Sequence, residues 1–186
     1  MGSSPYLKST PMAILLLRKA QPPDASAIAR VHVDCWRTTY ACIVSSEFLA
    51  ALSYKQRQEM WSGILSRGES ILYVAESPNG QVVGFACAGP ERTGDSVYQG
   101  ELYALYVLQS YQRQGVGSQL FKAVATELRQ GSLTSLLVWV LAANPARLFY
   151  ETLGGEYLRE KDIEIGEQQL VEVAYGWKDT QAIVER

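Results

Sequence analysis

The stretch from Glu101 to Phe121 constrains the fold most, because its side-chain periodicity changes within it. Glu101 to Leu108 is rich in aromatic and branched apolar residues, which suit a pleated, well-buried surface, so a central strand is expected there. Gly115 and Gly117 break the run. Val116, Leu120, Val124 and Leu128 then recur every four residues, forming one apolar stripe on a helix that begins near Gly115 and ends before Gly131.

A helix that starts in glycines presents backbone N–H groups with no internal partner, and its dipole adds partial positive charge at the same end. Gly115 and Gly117 let an anion approach the main chain without meeting a Cβ, and Arg113 adds a full charge beside them. A pyrophosphate is the expected guest. The chain has no Lys-Ser/Thr pair after the glycines, as a nucleotide-triphosphate loop would. Nor does a third glycine stand at the dinucleotide-fingerprint position, since Ser118, Gln119 and Leu120 come next.

Between the strand and the helix the chain instead reads Gln112-x-x-Gly115-x-Gly117. This resembles the acetyl-CoA pyrophosphate loop of the GNAT superfamily of N-acetyltransferases. A second motif adds to it: an apolar strand at Thr134–Ala142, then Asn144-Pro-Ala-Arg-Leu-Phe-Tyr150 and a glycine exit at Gly154-Gly155. Order and separation both match the superfamily. The resemblance spans roughly Ile14 to Lys178 and is strongest from Tyr98 to Glu156. It implies an α/β (α+β) GNAT fold, a mixed, twisted sheet of about seven strands with helices on both faces and a splayed central strand pair.

Other elements are expected on either side of this stretch. Ile14–Ala20 is a strand, Asp24 an N-cap, and Ala25–Thr38 a helix. Ser46 caps a short turn through Leu52, and Tyr54–Leu65 is helical. Ser70–Glu76 and Gln81–Ala88 are strands joined by Ser77-Pro-Asn-Gly80, and Glu156–Ile165 and Gln168–Trp177 close a hairpin about Gly166. With 186 residues the chain suits one domain, expected over 13–180, with a flexible leader at 1–12 and a short tail at 181–186.

A net charge of -2 offers no electrostatic footprint for nucleic acid. The three cysteines, Cys35, Cys42 and Cys87, are widely spaced and suggest neither a disulfide framework nor a metal site. A cytoplasmic protein without membrane span or anchor is therefore expected.

Acetyl transfer from a thioester to an amine needs a deprotonated amine, a held carbonyl, an oxyanion donor and a proton for the departing thiolate. By the resemblance, main-chain groups of Leu105, Tyr106 and Val107 would hold the pantetheine arm of acetyl-CoA, with the Leu105 N–H near the acetyl oxygen. Gln112, Arg113, Gln114, Gly115, Val116, Gly117 and Ser118 would bind the pyrophosphate. Asn144 and Arg147 would also touch the co-substrate, although Asn144 stands one residue closer to Tyr150 than in the commoner family spacing. The same resemblance makes Tyr150 the general acid, and a phenol suits protonation of a thiolate.

Glu101 stands where many family members carry a general base, and strict alternation puts it on one face with Tyr103 and Leu105. The other reading of Glu101 is a strand-end carboxylate in solvent or in an ion pair. Trp36, Tyr40 and Tyr103, with Trp61, would line an acceptor pocket favourable to a cationic amine. His32, the only histidine, is expected to be packed and hydrogen-bonded, and no cysteine has the basic partner that an acyl-cysteine intermediate would need.

The expected activity is acetyl transfer from acetyl-CoA to the primary amine of a small molecule, without a metal. Acetylation of a protein N-terminus or lysine, and non-catalytic sensing of acyl-CoA, remain open beside it. A homodimer through the closing hairpin is a further expectation.

Overall fold

The computed structural model describes residues 15–185. The expected leader at 1–12 and Ile14 at the head of the first strand lie outside the described residues. The strands are β1 (Leu16–Lys19), β2 (Ile71–Glu76), β3 (Val82–Pro90), β4 (Gly100–Val107), β5 (Leu136–Leu141), β6 (Glu156–Ile165) and β7 (Gln168–Trp177). They form one sheet in the order β1-β2-β3-β4-β5-β7-β6. Only β4 and β5 are parallel neighbours, as a crossover through a helix requires. The helices are α1 (Ala25–Thr39), α2 (Ser46–Ala51), α3 (Tyr54–Arg67), α4 (Val116–Gln130), α5 (Arg147–Thr152) and α6 (Gln181–Val184).

The sheet is covered on both faces because β3 is apolar on both, with Val82 through Ala88 buried. On one face α4 buries Val116, Leu120, Phe121, Val124, Ala125 and Leu128 against Val83, Ala86, Leu102, Val138 and Tyr175. On the other, Ile28, Val31 and Cys35 of α1 and Trp61 of α3 pack on Leu72, Val74, Phe85 and Cys87. A third cluster joins the end of α1 and α2 to β5 and the β6–β7 hairpin through Tyr40, Val44, Leu49, Leu141 and Leu170.

Three local expectations change. Asp24 does not cap α1 with its side chain; Arg18 holds the carboxylate at 2.7 and 2.9 Å, and it also accepts the Gln21 N–H. The arginine's charge outbids a helix N–H for the same oxygens. Ser45, not Ser46, caps α2, accepting the Phe48 N–H.

The third change concerns β4. Ala88 pairs with Leu102 and Cys87 with Ala104, so Tyr103 is an extra residue in a β-bulge. Beyond it the faces exchange: Tyr103, Ala104 and Tyr106 turn toward α1 and α3, whereas Leu105 joins Leu102 and Val107 under α4. Glu101 and Tyr103 still line one cavity, but Leu105 does not share their face.

Candidate active site

β4 runs to Val107, yet it pairs with β5 only where Gly100, Glu101 and Leu102 oppose Leu136, Leu137 and Val138. Past Leu102 the two strands separate into a wedge. Leu108 N–H donates to Val83 O at 2.9 Å, and the two-residue alternation of an antiparallel ladder then directs Tyr106 and Ala104 toward β3. The main-chain groups of Leu105 and Val107 therefore point into the wedge. Val107 O accepts from Gln112 Nε2 at 2.9 Å, on the side away from β3.

That bond also shapes the adjoining turn. Gln112 and Gln114 use their side-chain amides internally, on Val107 O and Ser110 O. Their polar ends brace the loop. Arg113 has φ 60 and Gly115 φ 79. Left-handed Gly115 followed by helical Val116 turns successive N–H groups into one concavity. The first bond of α4 is Gln119 N–H to Gly115 O, at 3.0 Å, so the N–H groups of Val116, Gly117 and Ser118 precede the internal ladder. Gly117 lies against the Phe149 ring, which a Cβ would meet at 3.5 Å.

A group of phenols stands beside the wedge. Trp36 Nε1 donates to Tyr106 Oη at 2.9 Å, Tyr106 and Tyr40 lie within electrostatic range of each other, and Asn144 Nδ2 donates to Tyr40 Oη at 3.4 Å. Asn144 Oδ1 accepts the Ala146 N–H at 2.9 Å, so its buried amide orients the turn into α5 as well as the phenol. Arg147 opens α5 within electrostatic range of Tyr175. Tyr150, from α5, is buried with its ring against Phe121, Phe149 and Trp177, and it lies in electrostatic range of Tyr40 and Tyr106. Burial raises the pKa of all three phenols above the ordinary value, so each keeps its proton at neutral pH.

His32 stacks on Tyr106 at 5.1 Å, and its Nδ1 accepts from Trp61 Nε1 at 3.1 Å, so the packed reading holds. Burial, with a smaller push from Arg57, lowers its pKa from 6.5 to about 3. A depressed histidine leaves stability intact above the unfolded value and removes it as pH falls from 6.5 toward 3. Relative to His32→Gln, the protein is expected to lose about 1.4 kcal/mol at roughly pH 5.5, measured by urea unfolding. A parallel pH dependence in both proteins would contradict this burial of neutral His32. Burial likewise raises the Cys35 and Cys87 thiols to about 12, far from the range of a reactive thiolate.

On the α1 side of the sheet a cavity of about 390 Å³ opens among Arg92, Thr93, Glu101, Tyr103, Trp139, Lys161, Ile163 and Glu172. Glu101 is 2% exposed and ion-paired. Arg92 reaches both its oxygens, from Nη2 at 2.5 Å and Nε at 3.0 Å, with its own backbone N–H at 3.3 Å. The same guanidinium covers the Tyr103 ring at 4.2 Å, while Tyr103 Oη donates to Pro90 O.

Lys161 Nζ stands 3.9 Å from the Trp139 ring centre and 3.6 Å from Glu172. Trp139 Nε1 is buried with no partner among the described residues. No motif in the sequence marks Arg92, Trp139, Lys161 or Glu172 as site residues. One signal is present: β7 alternation leaves Glu172 on the face opposite Val173 and Tyr175, where a carboxylate needs a partner.

Three comparisons bear on this geometry. The model of the Acetyltransferase (GNAT) family matches residues 27–154. The chain is 40% identical over 170 residues to an uncharacterized N-acetyltransferase of Bacillus subtilis, YuaI, covering 91% of this chain and 96% of that one. Among solved structures it superposes on an N-acetyltransferase from Staphylococcus aureus with a TM-score of 0.71, at 20% identity, over 91% of this chain and 100% of the other. YncA from Salmonella typhimurium, solved with its cofactor acetyl-CoA, gives a TM-score of 0.67 at 21% identity over 89% and 94% of the two chains.

Proposed function

The chain belongs to the acetyltransferase (GNAT) family and is an acetyl-CoA-dependent N-acetyltransferase, and from that membership we propose that it acetylates the primary amine of a small molecule by direct attack on the thioester. The observation that carries this is the wedge itself. One unpaired stretch of β4 leads from the glycine-started helix to the phenols, beside a cavity lined by carboxylates.

In this reading the pyrophosphate rests on the N–H groups of Val116, Gly117 and Ser118, with Arg113 beside it, and the pantetheine arm pairs with Leu105 and Val107 as an added strand would. The acetyl carbonyl lies near the Leu105 N–H. Amine nitrogen attacks the carbonyl carbon, a C–N bond forms and the C–S bond breaks. Tyr150 gives its proton to the leaving thiolate and regains one from the nitrogen. The cavity, about 390 Å³, falls in the range of small-ligand pockets, and the peptides in the panel below distinguish a small amine from a peptide acceptor. Tyr103 lines that cavity, whereas Trp36 and Tyr40 are not among its lining residues and stand with Tyr106 instead.

The test is thiol release from acetyl-CoA across polyamines, aminoglycosides, amino acids and short peptides, with thermal shift by acetyl-CoA alongside. Turnover with a small amine is expected; turnover with peptides alone would overturn the small-molecule reading, and stabilisation with no turnover would point to a sensor.

Gly115→Val tests the loop, because a β-branched residue at φ 79 costs on the order of 1–3 kcal/mol and disturbs the turn that gathers the N–H groups. Acetyl-CoA affinity should fall at least tenfold by calorimetry, about 1.4 kcal/mol. Arg113→Glu should weaken it without altering the glycine, and unchanged affinity in both variants would remove the loop from the binding site.

A further inference from the structure

Two carboxylates enter the cavity, and their surroundings differ. Glu101 accepts three N–H groups from Arg92, so its oxygens are already committed and its side chain is only 3% exposed. Among the described residues Glu172 has one ion-pair partner, Lys161, at 3.6 Å, longer than a good hydrogen bond, and its side chain keeps 18% exposure into the cavity. Its acceptor capacity is largely open. Resting on the amine-acceptor reading above, we propose that Glu172, rather than Glu101, is the catalytic carboxylate that receives the acceptor ammonium and takes its proton.

Position supports this. Glu172 pairs across β7 with Leu141, at the inner end of β5, where the wedge opens. It lies in electrostatic range of Tyr40 on one side and of Glu101 and Arg92 on the other, between the phenols and the ion pair. The groups facing it are therefore Lys161 from β6, Tyr40 from the end of α1, Glu101 from β4, and Arg92 just after β3. Burial raises its pKa, with Glu101 adding to the rise and Lys161 and Arg92 opposing it, which moves a carboxylate toward the range of a useful base.

The protons balance. The acceptor R–NH3⁺ transfers one proton to Glu172 and becomes R–NH2, which attacks the thioester. The second nitrogen proton replaces the one Tyr150 gives to the thiolate. Glu172 then returns its proton to solvent, so the sum is amide, free thiol and one proton released.

The experiment measures kcat/KM for the amine as a function of pH in the full-length protein, for wild type, Glu172→Gln, Glu172→Asp and Glu101→Gln. Wild type should show an acid limb. Glu172→Gln should lower kcat/KM about 100-fold and abolish that limb, leaving the KM for acetyl-CoA unchanged; Glu172→Asp should restore the limb at reduced rate. The limb should persist in Glu101→Gln. Thermal melts of each variant identify any loss that comes from misfolding, and Glu172→Asp then carries the comparison. A wild-type profile in Glu172→Gln, or loss of the limb in Glu101→Gln alone, would overturn the assignment while leaving the acceptor reading intact. Wild type that releases no thiol with any amine would overturn both.

Discussion

Replacing Tyr150 by Phe should lower turnover by about 100-fold or more while acetyl-CoA binds within about twofold of wild type. The ring is what packs: it meets Phe121 at 6.3 Å, Phe149 at 5.2 Å and Trp177 at 6.3 Å, and phenylalanine keeps each of those contacts. Only the hydroxyl is lost. No hydrogen bond to it is found among the described residues, so removing it strands no partner and leaves stability nearly unchanged. If Tyr150 is the acid proposed above, the thiolate then leaves unprotonated, which slows C–S cleavage without touching the glycine turn. Single-turnover kinetics with calorimetric binding of acetyl-CoA would separate the two effects. Full turnover in the variant would strip Tyr150 of its acid role.

Phe121→Ala acts on the same site from below and should cost about 3–5 kcal/mol of stability. Phe121 is 0% exposed on the apolar stripe of α4, 5.0 Å from Trp177 and in edge contact with Phe149 and Tyr150. Truncation leaves a void between α4 and α5, and neither element can close it without moving the glycine turn or the phenol. For a chain of this size the loss corresponds to a melting temperature lower by on the order of 10 °C. The measurement is a urea or thermal unfolding curve, and a cost below about 1 kcal/mol would mean that the interface repacks freely.

Phe121 stands on an element that is legible in the sequence. The stripe of Val116, Leu120, Val124 and Leu128 is readable because a helix face follows from spacing alone, and α4 begins and ends within a residue of expectation. The turns at Gly80 and Gly166 are readable for a similar reason, since positive φ at 80 and 64 selects glycine locally. Gly115 belongs with them. The wedge came by resemblance, and the observed pairing of β4 with β5 stops where a splayed pair requires.

Local pattern could not locate the bulge at Tyr103, because it depends on how β3 and β4 accommodate each other across the sheet. That single inserted residue sends Leu105 under α4 instead of beside Glu101. Asp24 shows the same limit on a smaller scale, where Arg18 on a neighbouring strand displaced a capping role that the sequence alone favoured.

What the sequence determined by itself, then, is the set of conformations that short-range sterics and periodicity dictate: the glycine-started helix, the hairpins and the apolar faces. Tertiary structure decided which charges meet. Arg92 closes on Glu101 from a loop, and Glu172 arrives from β7 beside Lys161 of β6, contacts that exist only once the sheet has assembled. The physical reason is range. A dihedral preference acts within a few residues, whereas the free energy of a buried carboxylate depends on whichever side chains the fold brings within a few ångströms of it.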